Sequence, residues 1–218
     1  MVNIKQINMR VAKEGKFLMY LLLIVNFIVL IISWYFKYSF FLSLGIFCIF
    51  VFCIIFFRDP IREVPNEKNI IISPADGLIT NIVKMNDAEI GDAILISIFL
   101  NVYNVHVNRM PIDGKVVKVV KMPGKFLAAF DHKSSDENER TEILFDSEIG
   151  KIKVKQIAGL IAKRIICYAK QGEKMKIGDR LGYIRFGSRT DLIIPKDVNL
   201  MVKIGEKVKG NKTILVRF

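Results

Sequence analysis

Two long apolar runs near the start of the chain constrain its fold more than any other feature. Residues 17–36 and 38–57 contain no formal charge, although a quarter of the whole chain is charged. About 20 apolar residues are enough to cross a bilayer as a helix. A cleaved signal peptide would have a shorter apolar stretch and a small-residue cleavage site. We therefore predict that residues 1–57 form a membrane anchor of two transmembrane helices, 17–36 and 38–57.

The residues around the two runs predict how the helices are arranged. Lys37 separates the runs, so the helices should form an antiparallel hairpin. The aromatic side chains of Trp34, Tyr35 and Tyr38 lie at this turn, where interfacial aromatic residues are expected. Basic residues flank the other ends of both runs and favour the cytoplasmic side of a membrane. These are Lys5, Arg10, Lys13, Lys16, Arg58 and Arg62. The domain after the hairpin is therefore predicted to be cytoplasmic.

The charge of the chain indicates an anionic partner. Its formal net charge is +12, from 33 basic and 21 acidic residues. Nucleic acid and an anionic membrane surface would both suit this charge. Because the apolar runs tether the chain to a bilayer, we favour the membrane and predict no nucleic-acid partner.

The cysteine and histidine content argues against a metal site. Cys48 and Cys53 lie inside the second apolar run, and Cys167 stands alone. Their spacing matches neither a disulfide framework nor a zinc site. His106 and His132 are the only histidines. We therefore predict no metal and do not expect a zinc enzyme.

Residues 58–218 are enough for one compact domain, and their pattern is typical of β-structure. Short segments rich in β-branched or alternating apolar residues are separated by turn formers. The highly polar stretch 131–140 predicts an exposed, mobile loop. The predicted strands are Ile71–Ile72, Leu78–Val83, Ala93–Phe99, Lys115–Val120, Glu142–Phe145, Lys151–Ile157, Asn199–Ile204 and Thr213–Phe218.

Two pairs of segments in this domain resemble each other. Ser73–Ile79 is similar to Met110–Val116, and Gly172–Lys176 is similar to Gly205–Lys209. Such repeats would suit a quasi-symmetric β-sandwich resembling biotinyl or lipoyl carrier domains. Asp-Gly and Gly-Glu-Lys are also ordinary hairpin turns, so the local sequence leaves both interpretations open.

Three residues in turn-like segments could carry chemistry. They are Asp76 before a glycine, His106 between two valines, and Ser188 after Gly187. An acid, an imidazole and a hydroxyl can form a relay in which the acid orients the base and the base activates the nucleophile. Taken singly, each residue also has a purely structural interpretation as a turn aspartate, a strand histidine and a loop serine.

Together with their neighbours, these residues resemble one family. In chain order the matching segments are Phe56–Pro60 with Arg62 and Pro65, Ser73–Gly77, Val105–Arg109, Glu137–Arg140, Gln156–Ala162 and Arg185–Asp191 with Pro195. They resemble the phosphatidylserine decarboxylases, in the short branch that includes archaetidylserine decarboxylase-like proteins. The resemblance extends over nearly all of the domain that follows the anchor.

The resemblance implies that the chain cuts itself. Members of the family cleave between the glycine and serine that match Gly187 and Ser188, giving chains 1–187 and 188–218 that stay associated. The serine becomes a pyruvoyl group, which is the cofactor. Glycine before the serine leaves space around the attacked carbonyl. By the same resemblance, Asp76 is the orienting acid and His106 is the general base.

The resemblance also implies the reaction and the substrate. The pyruvoyl carbonyl forms a Schiff base with a substrate amine and withdraws electrons as carboxylate leaves. The expected substrate is an anionic serine-headed phospholipid, phosphatidylserine or archaetidylserine, which becomes the ethanolamine lipid. The chain departs from the family at Asn104, where an aspartate is frequent before the Val-His pair.

Two other classes of function stay open at this point. One is a membrane-anchored biotinyl-like or lipoyl-like carrier or adaptor, with a modified lysine near Lys174. The other is a membrane serine hydrolase that uses Asp76, His106 and Ser188. A hydrolase keeps Ser188 inside the chain, whereas the decarboxylase releases it as a new chain end.

Overall fold

The structure is a computed structural model that describes residues 9–36, 39–124, 138–159, 164–185 and 188–218. The predicted turn at Lys37, most of the predicted loop 131–140 and the predicted cleavage residue Gly187 lie outside the described residues. The chain divides into two compact units, residues 1–61 and residues 62–218. Each unit is described by itself.

The first unit contains two apolar helices, α1 (Lys13–Ser33) and α2 (Ser39–Phe56). α1 is long and apolar enough to cross a membrane, whereas α2 is a shorter apolar helix. α1 begins earlier than the predicted span 17–36, because residues 13–16 form its first turn, in which Gly15 is buried close to Phe57. It ends earlier because Trp34 and Tyr35 form a turn.

The two helices pack against each other. Ser43 Oγ donates a hydrogen bond of 2.6 Å to Asn26 Oδ1, and both side chains are buried between the helices. A polar pair of this kind can join helices in an apolar environment. Strands β1 (Met9–Val11) and β2 (Arg58–Pro60) pair antiparallel. This pairing brings together the start of α1 and the end of α2, as expected for a helical hairpin.

The second unit is built from β-strands, which confirms the mostly β fold. The predicted strand at Asn199–Ile204 is wrong beyond Leu200, because residues Lys203–Glu206 form a turn with Gly205 at φ 85°. The strands are β3 (Ile70–Ile72), β4 (Gly77–Asp87), β5 (Gly91–Leu100), β6 (Val107–Arg109), β7 (Gly114–Met122), β8 (Arg140–Ser147), β9 (Gly150–Ile157), β10 (Ile165–Cys167), β11 (Lys174–Met175), β12 (Arg180–Ile184), β13 (Ser188–Pro195), β14 (Asn199–Leu200), β15 (Lys207–Val208) and β16 (Ile214–Arg217).

These strands form one large sheet and two small ones. The eight-stranded sheet has the order β11-β7-β8-β9-β13-β5-β4-β15, and the small sheets have the orders β10-β12-β6 and β14-β16-β3. One apolar core includes Ile96 and Ile98 from β5, Val154 from β9 and Leu192 from β13. The residues that β5 contributes to this core, Ile94, Ile96, Ile98 and Leu100, are two apart because successive side chains point to opposite faces.

The two small sheets and the two edges of the large sheet are related as repeats. At one edge β15 pairs with β4, placing Val208 opposite Gly77. At the other edge β11 pairs with β7, placing Met175 opposite Gly114. The small sheet β14-β16-β3 likewise corresponds to the small sheet β10-β12-β6.

Hydrogen bonds at the two edges match position by position. Asp76 accepts a hydrogen bond of 2.8 Å from the backbone N–H of Gly210, and Asp113 accepts one of 2.6 Å from that of Ile177. Gly210 follows Gly205 by five residues, and Ile177 follows Gly172 by five residues. The resembling segments therefore occupy equivalent places, which supports the quasi-symmetric interpretation over that of unrelated hairpin turns.

Candidate active site

Ser188 lies at the start of a central strand of the large sheet. β13 pairs with β5 on one side and β9 on the other, and Ser188 is opposite Leu100 at the end of β5. The residue is fully buried, and its Oγ has no hydrogen-bond partner among the described residues. A buried hydroxyl without a partner costs about 1–3 kcal/mol. Such a group calls for an explanation, and a chemical role is one.

His106 lies just before β6 and is fully buried. Its backbone carbonyl accepts a hydrogen bond of 3.2 Å from the N–H of Ile184, the last residue of β12. Its ring lies 6.4 Å from the ring of Tyr183, measured between centroids. His106 is therefore fixed next to Ile184 at the end of β12. Ile184 precedes Ser188 by four residues along the chain.

A buried amide network links the strand after His106 to the strand that begins with Ser188. Asn108 Nδ2 donates to Thr190 Oγ1 at 3.2 Å, and Gln156 Nε2 donates to Asn108 Oδ1 at 2.7 Å. All three side chains are fully buried. Side chains two residues apart on extended backbone point to the same side. Ser188 therefore lies on the face of β13 that carries the Asn108–Thr190 contact, and His106 lies two residues before Asn108, just outside β6.

Asp76 is held by Arg62 and by the backbone of Gly210. Arg62 donates from Nη1 to Asp76 Oδ1 and, at 2.8 Å, from Nη2 to Oδ2. The N–H of Gly210 donates to Oδ1 at 2.8 Å. An ionised carboxylate has about four acceptor positions, and these three bonds from described residues use three. One position on Oδ2 could still accept a proton donor.

The segment that carries Asp76 lies close to both other candidates in the strand pairing. The carbonyl of Pro74 accepts a hydrogen bond of 2.8 Å from the N–H of Arg109, at the end of β6. Gly77 begins β4, which pairs with β5, and Leu100 of β5 is opposite Ser188. Neighbouring strands lie about 4.8 Å apart, so the strands of Asp76 and Ser188 are separated by roughly 10 Å.

The residue after Ser188 takes part in a buried ion pair that fixes the strand. Arg189 Nε lies 2.9 Å from Asp191 Oδ1, and both side chains are buried. They alternate with Ser188 and Thr190, so they lie on the opposite face of β13. Burial raises the pKa of Asp191, although the charge of Arg189 and a hydrogen bond from Ser97 oppose the change.

A cavity of about 650 Å³ lies elsewhere in this unit. It surrounds Asp113 and includes Lys115, Asp146 and Lys174, but none of Asp76, His106 and Ser188. It lies at the repeat that contains Met110–Val116 and Gly172–Lys176, which we call the second repeat. It is at the Ser147 end of β8, the end farther from Ser188. The cavity is therefore separate from the three predicted residues.

Several side chains of the site were not recognised from the sequence. Arg62 was noted as a basic residue flanking the anchor and within a matching segment, but without a role, yet it binds Asp76. Asn108, Gln156 and Thr190 stood inside the matching segments without a role. Asn108 follows His106 by two residues, and Thr190 follows Ser188 by two residues. This spacing is a signal that could have assigned Asn108 and Thr190 to the site. Asn104, the departure from the family, accepts a hydrogen bond of 2.9 Å from the N–H of Asn101 and closes the turn before His106.

Comparison with known proteins finds relatives along nearly the whole chain. The sequence profile of the phosphatidylserine decarboxylase family matches residues 49–216. A phosphatidylserine decarboxylase proenzyme of Wolbachia pipientis wMel is 45% identical over 214 residues, covering 94% of this chain and 90% of the relative. A phosphatidylserine decarboxylase proenzyme of Ehrlichia chaffeensis (strain ATCC CRL-10679 / Arkansas) is 43% identical over 212 residues, with the same coverage.

These matches extend across nearly the whole chain and include all three candidate residues. The chain is thus an enzyme of the decarboxylase class. It belongs to the phosphatidylserine decarboxylase family.

Proposed function

We propose that the chain cleaves itself between Gly187 and Ser188 and then decarboxylates a serine-headed phospholipid at the membrane. The observation that carries this proposal is the buried Ser188 Oγ, which has no hydrogen-bond partner among the described residues and begins a strand between β5 and β9. The relatives' description as proenzymes supports processing of the chain.

Maturation follows from the chemistry of a serine next to a peptide carbonyl. Ser188 Oγ attacks the carbonyl carbon of Gly187 and gives its proton to a base. The C–N bond breaks, the freed amine of Ser188 takes up a proton, and an ester remains. Loss of the Ser188 Cα proton then expels the Gly187 carboxylate, and water releases ammonia from the new chain end. We assign the role of base to His106; this is supported by its burial two residues before Asn108, which binds Thr190 on the strand that begins with Ser188.

The residues present fit a pyruvoyl group at position 188. β13 is hydrogen-bonded on both sides, so a chain end formed there stays in place without the preceding peptide bond. When present, the pyruvoyl group supplies a carbonyl that accepts a substrate amine and withdraws electrons from it. His106 can then hold or return a proton at the reacting carbon, and Asp76, fixed by Arg62, can orient the imidazole.

The substrate follows from the family and from the anchor. The amine and the carboxylate that the reaction requires lie on one carbon in the serine headgroup. α1 and α2 would keep the enzyme at the bilayer, with residues 62–218, which we call the decarboxylase unit, on the cytoplasmic side. The ester lipid phosphatidylserine and the ether lipid archaetidylserine share this headgroup, and both are candidates.

The test is release of carbon dioxide from lipid dispersed in detergent. Purified enzyme is given phosphatidylserine, archaetidylserine or free serine. Carbon dioxide and the ethanolamine lipid are expected from at least one of the two lipids. The Ser188→Ala variant should be inactive, and Ser147→Ala, which changes the half-buried last residue of β8, should keep wild-type activity. Release from free serine alone would overturn the lipid assignment.

A further inference from the structure

One turn of the decarboxylase unit exposes apolar side chains that its repeat-related counterpart lacks. Residues Lys203–Glu206 connect β14 to β15, and Ile204 at the tip of this turn is 57% exposed. Met201, just before the turn, is 49% exposed. Leu78, on the strand that pairs with β15, is 36% exposed. Together with Leu200, which is also exposed, these side chains form what we term the apolar patch.

The second repeat contains the same turn with polar residues at the tip. In the first turn Lys203 O accepts from the Glu206 N–H at 3.2 Å, and Gly205 has φ 85°. In the counterpart Lys170 O accepts from the Glu173 N–H at 3.1 Å, and Gly172 has φ 86°. In both turns the glutamate side chain also accepts a hydrogen bond from the N–H of the lysine. The backbone is therefore the same, and the fold does not require an apolar tip.

At each matching position, the side chain of the apolar patch is either more apolar or more exposed than its counterpart in the second repeat. Ile204 corresponds to Gln171, and Leu78 corresponds to Lys115. Met201 and Leu200 correspond to Tyr168 and Cys167, which are half-buried instead of exposed. An exposed apolar group of this kind on one of two equivalent turns indicates a surface that contacts something apolar.

The charges around the apolar patch indicate which apolar partner this is. Lys203, Lys207, Lys209 and Lys212 are exposed around it. Between residues 199 and 213 the acidic residue is Glu206, which bonds its own turn. Apolar side chains surrounded by lysines are suited to an anionic lipid surface, where the apolar groups enter the bilayer and lysines meet the headgroups.

We propose that the apolar patch is a docking surface that seats the decarboxylase unit on an anionic lipid bilayer. Docking goes beyond the reaction proposed above and does not depend on it. The location of the patch would nevertheless serve that reaction. Leu78 follows Asp76 by two residues, and Gly210, whose N–H binds Asp76, follows Lys207 by three. A lipid entering at the patch would reach the candidate site over a short path.

The experiment measures insertion of the turn tip into the bilayer. The full chain, with Trp34→Phe as background, is reconstituted into vesicles of phosphatidylcholine and phosphatidylglycerol whose acyl chains carry bromine. Ile204→Trp introduces one tryptophan at the tip, and Gln171→Trp introduces one at the equivalent tip of the second repeat. Both positions are exposed, so neither substitution should disturb the fold, and circular dichroism checks this.

We expect brominated lipid to quench the tryptophan of Ile204→Trp strongly and to shift its emission to the blue, while that of Gln171→Trp stays unquenched. Quenching should weaken in high salt, because lysine attraction to the headgroups is screened. Equal quenching of the two variants would overturn the docking proposal. Absence of quenching at Ile204→Trp would also overturn it, and this is the result expected if the apolar patch instead binds another protein. The measurement needs no turnover, so its failure and failure of the decarboxylase assay are separate results.

Discussion

Asp76, His106 and Ser188 are each held by a different part of the fold. Arg62 and Gly210 hold the carboxylate of Asp76, β12 holds the backbone of His106, and β5 and β9 enclose Ser188. If Asp76 and His106 are the acid and the base that we propose, a pair fixed in this way would serve both maturation of the precursor and later turnover.

At the residue scale, replacing the acid or the base should stall maturation. His106→Ala and Asp76→Ala are expected to leave mostly full-length precursor, because loss of a general base costs roughly 10²–10⁴-fold in rate. Cleavage would be slowed and not abolished. The measurement is the cleaved fraction over time by denaturing gel. His132→Ala, a change at the only other histidine, is the control and should mature normally. Normal cleavage in both site variants would rule out the relay.

At the element scale, the contact between β6 and β13 depends on side chains more than on backbone pairing. β6 pairs with β12, and β13 pairs with β5 and β9. Asn108 and Thr190 join the two strands across the interior, and Gln156 supports Asn108 from β9. The relative position of His106 and Ser188 is therefore expected to depend on Gln156.

Gln156→Leu should lower stability and slow self-cleavage. The leucine cannot donate to Asn108 Oδ1, which stays buried without that bond at a cost of about 1–3 kcal/mol. For a chain of this size each kcal/mol lowers Tm by roughly 2–4 °C. Thermal unfolding in detergent measures the loss. Gln171→Leu makes the same change at an exposed turn and should leave Tm and cleavage unaltered. A Gln156→Leu variant as stable and as fast as the control would contradict this role.

A second contact between elements makes stability depend on pH. Lys153 of β9 donates to both carboxylate oxygens of Asp87 at the end of β4, at 2.8 and 2.6 Å. Burial by itself would raise the pKa of Asp87, but the hydrogen bond and charge of Lys153 and the N–H groups of Glu89 and Ile90 outweigh it. They lower the pKa below its ordinary value. The ionised carboxylate is thus favoured in the folded state.

The sign of the pH effect follows from the lowered pKa of Asp87. Its contribution to stability is complete above the unfolded value of about 3.9 and is lost as the pH falls through the folded value. We expect Tm to fall as the pH drops below about 5 and on through the lowered pKa of folded Asp87, and we expect Asp87→Asn to flatten that fall. Asp92→Asn, at an exposed pair with Lys196, should change it little. An Asp87→Asn profile parallel to that of the wild type would exclude the contribution.

At the scale of the whole molecule, sequence pattern predicted the long strands better than the short ones. β4, β5, β7, β8 and β9 are rich in β-branched residues or alternate, and they were predicted. β13 was not predicted, although it has 8 residues. β6, β10 and β11 have three residues or fewer, too few to show a period, and their pairing comes from tertiary contacts. The ion pair between Arg62 and Asp76 joins residues across a turn that local pattern does not describe. The site residues came from resemblance, because no local pattern shows which side chains meet.

The orientation of the chain in the membrane is a prediction about the whole molecule. The basic residues outside α1 and α2 predict that the connection between the helices lies on the side opposite the decarboxylase unit. Ser39→Cys, in a background with Cys48, Cys53 and Cys167 replaced by alanine, should react with an impermeant thiol reagent from the outer face of intact cells. A cysteine at Asp197, in the same background, is the control and should react after permeabilisation. Labelling of Ser39→Cys from the cytoplasmic face alone would refute the orientation.

The intact mass of the purified protein tests the central claim most directly. If the chain cuts itself, the wild type gives two masses under denaturing conditions, residues 1–187 and residues 188–218, and the shorter chain is lighter by one ammonia than its sequence requires. The two should co-purify, because β13 is paired with β5 and β9. Ser188→Ala should give one full-length mass and no activity. A wild-type enzyme that decarboxylates lipid as one intact chain of 218 residues would contradict the account.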